Sequence, residues 1–197
     1  MIKAIVAAAS DWGIGKKNGL LFNLPLDMSR FRTQTANSIV ICGENTLLSF
    51  PNAKPLKNRS TIVLCPEGHE YDNCICVHNF DELVKMAKVL SITNTVYVLG
   101  GGMMYKSMLP YCDEVIVNKV KAVDPETTVF FPNMDEEKDF VVSKVDEVQI
   151  DNGYETQFYV YERKPVEVPV KTSKLKLTTA MHITEDNLDL FEEALRR

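Results

Sequence analysis

The sequence predicts an α/β fold, and three patterns carry the prediction. Short apolar runs rich in β-branched residues alternate with stretches of helical periodicity, the mark of a sheet with helices packed on its faces. Several of these runs are apolar throughout, as expected of strands buried on both sides. Near the end, two strand patterns flank Asp151-Asn152-Gly153, a turn signal that predicts an antiparallel hairpin closing the sheet.

Taken in order, residues 2–9 form the first run. A lysine interrupts it and Ser10-Asp11 follows, so it reads as a strand and not as a leader peptide or a membrane span. Further strands are predicted at 39–42, 60–65, 74–78, 95–99 and 114–120, and the hairpin pair at 139–148 and 155–163. Helices are predicted at 25–35, where Pro25 suits a first turn, and at 44–50, 80–91 and 102–109. The third has Asp81 and Glu82 at its positive end and an apolar stripe of Leu83, Val84, Ala87 and Leu90. From Pro165 the core pattern stops: 165–182, with Lys171, Lys174 and Lys176, reads as a linker or draped arm. Thr184 can then cap a short helix with Leu188, Phe191 and Leu195 on one face. Such a helix is stable only when docked, on its own domain, a symmetry mate or another partner. The reading is a domain over 1–164 and an extension over 165–197.

With 197 residues the chain has room for one core and a tail. Its 22 basic residues against 27 acidic ones leave a net charge of -5 and no basic stripe, which excludes a phosphate-backbone footprint and so a nucleic-acid partner. No apolar run approaches the ~20 residues of a membrane span. Five cysteines, odd in number and set in apolar stretches, suit reduced thiols of a cytoplasmic protein. Cys74, Cys76 and His78 share a strand face and have ligand-type side chains; a buried strand explains the same spacing, and no metal is expected.

Three stretches can carry chemistry. In Leu24-Pro25-Leu26-Asp27-Met28-Ser29-Arg30-Phe31, Asp27 shares a helix face with Phe31 and has apolar neighbours. A carboxylate so placed binds a cationic or amidine-like edge or titrates upward; the alternative is a first-turn acid facing water. Gly100-Gly101-Gly102, between a strand and a helix, lets backbone approach a phosphate, as Gly43 does before the helix holding Thr46; a triple glycine also serves simply as a tight turn. The stretch 14–23, with Gly15 and Gly19, is either a lid over a ligand or an ordinary surface connection.

Ile5-Val6-Ala7, Ile14-Gly15, Asn18, Asn23-Leu24-Pro25-Leu26-Asp27, Phe31, Gly43, Thr46, Ser49, Pro55-Leu56, Arg59, Gly100-Gly101-Gly102, Tyr105, Leu109-Pro110 and Phe131-Pro132 together resemble the dihydrofolate reductase family, in register from Met1 to about Lys164. The resemblance implies a central mixed, mostly parallel sheet of about eight strands with flanking helices and a C-terminal hairpin. It also implies hydride transfer from a nicotinamide cofactor to dihydrofolate, with antifolates as competing ligands. Asp27 is then the pterin anchor, and Ile5, Ala7, Met28, Phe31, Phe50, Leu56, Arg59, Leu99 and Asn118 lie on the substrate side, Arg59 gripping the glutamate carboxylate. Ala7, Ile14, Gly15, Leu20, Gly43, Glu44, Thr46, Leu64, Cys65, Gly101, Gly102, Met103 and Tyr105 are implied around the cofactor, with a cis peptide between Gly100 and Gly101.

This chain departs from the family pattern in places. Leu21-Phe22 stands where most members have Pro-Trp, removing an indole donor beside the pterin, and Asn118 replaces the threonine that bonds the carboxylate. At the adenosine end Glu44, Cys65-Pro66 and Met103 replace the residues that hold the 2′-phosphate of NADPH. An acid there suits the free ribose hydroxyl of NADH, unless Lys54, His69 or the lysines at 171–176 supply the missing charge. Two alternatives stay open: a non-catalytic folate- or nucleotide-binding assembly component acting through its C-terminal helix, and a same-fold reductase of a pyrimidine or riboflavin intermediate. The chain is expected as a monomer or a dimer, the tail being one route to self-association.

Overall fold

The computed structural model describes residues 1–16 and 19–165. Lys17, Asn18, the basic arm and the helix expected from Thr184 lie outside the described residues. The elements below belong to the compact unit Met1–Lys164.

Twelve strands and four α-helices follow in order: β1 (Ile2–Ala9), β2 (Gly13–Lys16), β3 (Gly19–Leu20), α1 (Pro25–Gln34), β4 (Ile39–Gly43), α2 (Glu44–Ser49), β5 (Ser60–Leu64), β6 (Cys74–Val77), α3 (Phe80–Leu90), β7 (Val96–Val98), α4 (Gly102–Met108), β8 (Glu114–Val120), β9 (Val129–Phe130), β10 (Phe140–Val145), β11 (Gln149–Asp151) and β12 (Tyr154–Arg163). The main sheet runs β10-β12-β8-β1-β7-β4-β5-β6, with β11 on β12. Its six strands from β8 to β6 are parallel; β12 lies antiparallel to β8, β10 and β11. The fold is the mixed, mostly parallel α/β sheet that the sequence predicts.

Strand alternation sorts the core. Along β4, Ile41 packs with Ala4, Val98 and the α3 residues Leu83, Val84 and Ala87 on one side. Val40 joins Ile5, Tyr97, Ile116 and Phe158 on the other, against Phe31 of α1, while Cys42 packs with Leu47 of α2. These β4 side chains are fully buried, which explains why the run has no polar member. Asn79 caps α3, its Oδ1 accepting from the amides of Asp81 at 2.8 Å and Glu82 at 3.4 Å.

Three expectations need correction. The 139–148 strand is shorter: β10 spans Phe140–Val145 with a bulge between Val142 and Lys144, Asp146 then turns away to pair with Arg30 and Lys144, and a separate short strand, β11, follows at Gln149–Asp151. The 14–23 loop is built around β2 and β3, which with the unforeseen β9 form a small antiparallel sheet; two- to four-residue strands are too short to show periodicity. β6 is a sheet edge, so Cys74 and Cys76 are only half-buried and Ile75 is exposed, whereas Cys42, Cys65 and Cys112 are buried. His78 turns its Nδ1 to Pro66 O at 3.0 Å and lies 3.7 Å from Cys65 Sγ, and no group of three His, Cys, Asp or Glu that could hold a metal ion occurs among the described residues. No described helix is long and apolar enough to cross a membrane.

Candidate active site

The parallel strands β1, β4 and β7 end on one edge of the sheet, where a crevice opens between the helices that follow them. A cleft of about 1120 Å³ lies there. It is lined from β1 by Ile5, Val6 and Ala7, from β2 and the residues after it by Ile14, Gly15, Leu20 and Phe22, and from α1 by Asp27, Met28 and Phe31. Phe50, Leu56 and Arg59 close one side; Gly43, Glu44, Thr46, Leu64, Leu99, Gly101, Gly102, Met103 and Tyr105 line the rest.

Asp27 is held from two elements distant in sequence. Asn118 on β8 donates its Nδ2 to Asp27 Oδ1 at 2.9 Å. Asn118 stands beside Ala7 in the parallel register, so both side chains leave the sheet on the cleft face, and it is 1% exposed. Asp27 Oδ2 receives no hydrogen bond from the described residues, and Asn118 Oδ1 is a buried acceptor without a partner. Asn118 does not itself line the cleft, so the acceptor presented there is the Asp27 carboxylate. Burial pushes the Asp27 carboxyl up, the Asn118 bond opposes this, the Asp151 charge adds to it and Arg30 opposes it. The first-turn acid facing water, one of the two readings open from spacing, is not what forms.

Arg59 is pre-set. Its Nε donates to Thr35 Oγ1 at 2.8 Å, and its terminal nitrogens donate to the carbonyls of Lys57 at 2.6 Å and Arg32 at 2.7 Å. No carboxylate among the described residues pairs with it, so a guanidinium with donors to spare borders the cleft. Burial and the neighbouring Arg32 pull its pKa down. Phe22 packs its ring on Tyr154, 5.0 Å between centroids, and brings no donor to the site.

At the far end, the Gly43 amide donates to Gly100 O at 2.8 Å, holding the ends of β4 and β7 together. Gly100 has φ +102° and a Cβ there would meet the Tyr105 ring at 2.7 Å; Gly100-Gly101 is cis. Only glycine fits at 100. The Tyr105 hydroxyl donates to Ile5 O at 2.7 Å, tying α4 under β1. The N-termini of α2 and α4 thus border the cleft; a Cβ at Gly43 would meet only Gly100 O at 3.9 Å and one at Gly101 would meet Thr46 Oγ1 at 3.5 Å, a glycine cradle with one hydroxyl beside it into which a dinucleotide pyrophosphate fits.

Glu44 opens α2 and is clamped by residues that the sequence did not single out together. Its Oε1 accepts from Tyr71 Oη at 2.6 Å and lies 2.5 Å from His69 Nδ1. The Tyr71 bond and then the His69 bond pull its carboxyl below the usual range; Tyr71 is pushed up to about 12. Among the other cleft-lining cations, Lys16 is taken by Asp124 and Glu126, and Arg32 and Lys57 sit with Arg59. Cys65 is buried and does not line the cleft, because its Sγ turns to His69 O at 3.4 Å; Pro66 is not on the lining either. Sequence reading passed over Tyr71, and it missed Asp151 as part of the site, because the loop between β5 and β6 and the end of β11 meet the helix starts only in three dimensions.

The family model described as dihydrofolate reductase matches residues 1–163. A dihydrofolate reductase of Bacillus subtilis is 30% identical over 167 residues, covering 83% of this chain and 95% of that one. One from Haemophilus influenzae is 29% identical over 162 residues, with 81% and 97% covered. Among solved structures, the enzyme of Enterococcus faecalis complexed with NADP(H) and RAB-propyl superposes with a TM-score of 0.75 at 24% identity, over 84% of this chain and 97% of that one, a likeness of fold.

Proposed function

The chain belongs to the dihydrofolate reductase family, and from that premise we propose that it reduces 7,8-dihydrofolate to 5,6,7,8-tetrahydrofolate with Asp27 as the pterin anchor. One observation carries the reading: a half-buried carboxylate on the cleft wall has one oxygen fixed by Asn118 and the other without a hydrogen bond from the described residues. That edge complements adjacent ring N–H and amino donors, the pattern of a 2-amino-4-oxopterin. Ile5, Ala7, Met28, Phe31, Phe50, Leu56 and Leu99 exclude water from the ring, and Arg59 takes the glutamyl carboxylate.

When bound, the nicotinamide supplies the hydride that goes to C6 of the pterin. The chain's own work is to orient and to bias charge. Ala7, Ile14, Gly15 and Leu20 flank the space for the nicotinamide, and Gly43, Thr46, Gly101 and Gly102 flank that for the pyrophosphate. Asp27 fixes the pterin by the edge away from N5, so the proton for N5 comes through water. At the adenosine end a clamped Glu44 accepts a bond from a ribose 2′-hydroxyl and repels a 2′-phosphate. NADH is therefore used at least as well as NADPH, which the family otherwise leads one to expect. Five free cysteines suit a reducing cytoplasm.

Calorimetric titration with a 2,4-diaminopyrimidine tests the anchor. One molecule is expected to bind per chain in competition with dihydrofolate. Absence of binding by a protein that still binds nucleotide would point instead to a same-fold reductase of another heterocycle.

A further inference from the structure

Helix α1 begins without a cap of its own. Leu24 stands at the cap position with no acceptor side chain, and Pro25 has no N–H, so the amide of Asp27 is a first-turn donor without a partner inside the helix. The partner comes from 124 residues away: Asp151 Oδ2 accepts the Asp27 N–H at 2.9 Å. Asp151 is 2% exposed, and no cation among the described residues pairs with it. A buried, unpaired carboxylate is costly, and the positive end of α1 is what its position offers in return. The next residue reinforces the contact, Asn152 Nδ2 donating to Asn23 O at 3.0 Å.

We propose that Asp151 is a positioning residue for the reduction: by capping α1 through the amide of Asp27 itself, it fixes where the pterin-binding carboxylate stands. The inference rests on the proposed role of Asp27 and deepens it. Asp151 also bears on the proton affinity of Asp27. The charged or titratable groups that face the Asp27 carboxyl are Asp151 from β11, Arg30 from α1 and the Tyr105 hydroxyl from α4, and Asn118 faces it from β8 without a charge. Arg30 is itself engaged, its guanidinium 2.6 Å from Asp146 and stacked 3.8 Å over Phe158. A negative charge at 151 therefore favours the protonated form of Asp27.

Two substitutions separate the cap from the charge. Asp151→Asn keeps an oxygen for the Asp27 amide and removes the charge; Asp151→Ala removes both. Asp151→Ala is expected to lower kcat/KM for dihydrofolate and affinity for a 2,4-diaminopyrimidine by roughly tenfold. Asp151→Asn is expected to restore most of that loss while moving the Asp27 carboxyl titration, followed by ¹³C NMR in the free protein, to lower pH. The inference is overturned if Asp151→Ala, folded by circular dichroism, keeps wild-type kcat/KM and affinity, or if the Asp27 titration is the same in Asp151→Asn as in wild type. An inactive wild type that binds no diaminopyrimidine would instead sink the proposed function, and the NMR titration would still decide the role of Asp151.

Discussion

Asp27→Asn is expected to lower kcat/KM for dihydrofolate by about a hundredfold to a thousandfold. The substitution keeps the shape and the oxygen that accepts from Asn118 but replaces the free, anionic oxygen with a donor. Two charge-assisted bonds to the pterin edge weaken at once, roughly 3–4 kcal/mol in the transition state. The sign of the pH dependence follows from the raised Asp27 pKa. Above that pKa the carboxylate is ionised and the variant's deficit is full; as pH falls through it, wild type becomes neutral there too and the two converge. Stability moves the other way. A carboxyl whose folded pKa is raised destabilises the fold at pH above that value, and the cost disappears as pH falls below the ordinary aspartate range. At neutral pH the Asp27→Asn thermal midpoint should therefore exceed that of wild type, as expected where activity and stability compete at one residue. A variant with unaltered kcat/KM would remove Asp27 from the reaction.

Glu44→Arg is expected to raise affinity for NADPH by about tenfold to a hundredfold and to leave NADH within a few-fold. The change replaces repulsion of a near-dianionic phosphate by a guanidinium that matches it bidentately. Tyr71 and His69, which fix the Glu44 carboxylate, lose their acceptor in the variant, so part of the gain is spent on reordering them. Quenching of the fluorescence of Trp12, the only tryptophan of the chain, gives Kd for each nucleotide independently of turnover. Wild type binding NADPH more than tenfold tighter than NADH would show that the adenosine end reads the phosphate despite Glu44.

The sheet was legible because its inner strands are buried on both faces and so carry no polar interruption, as in Val40-Ile41-Cys42. Order was legible too, since Gly43 and Gly100 mark where β4 and β7 stop and the helices after them begin. Shorter pieces escaped: β3 and β9 have two residues each, below any period. At the site, the lone acid in an apolar helix face was visible from its neighbours. Its environment was not. That Asn118 lies under Asp27 follows from a strand register 91 residues away, and that Asp151 caps the same helix follows from a turn 124 residues away. Likewise the clamp on Glu44 joins α2 to the segment between β5 and β6, a contact no local pattern encodes. Cys65 holds a cofactor-side position in the family pattern, and the structure turns its sulfur toward His69 O instead.

The measurement that bears most directly on the account is the absorbance at 340 nm of NADH or NADPH mixed with purified protein, before and after dihydrofolate is added. The expected result is oxidation that depends on dihydrofolate, with NADH at least as effective as NADPH, and that falls by about a hundredfold or more in Asp27→Asn. No dihydrofolate-dependent oxidation of either nucleotide would contradict it.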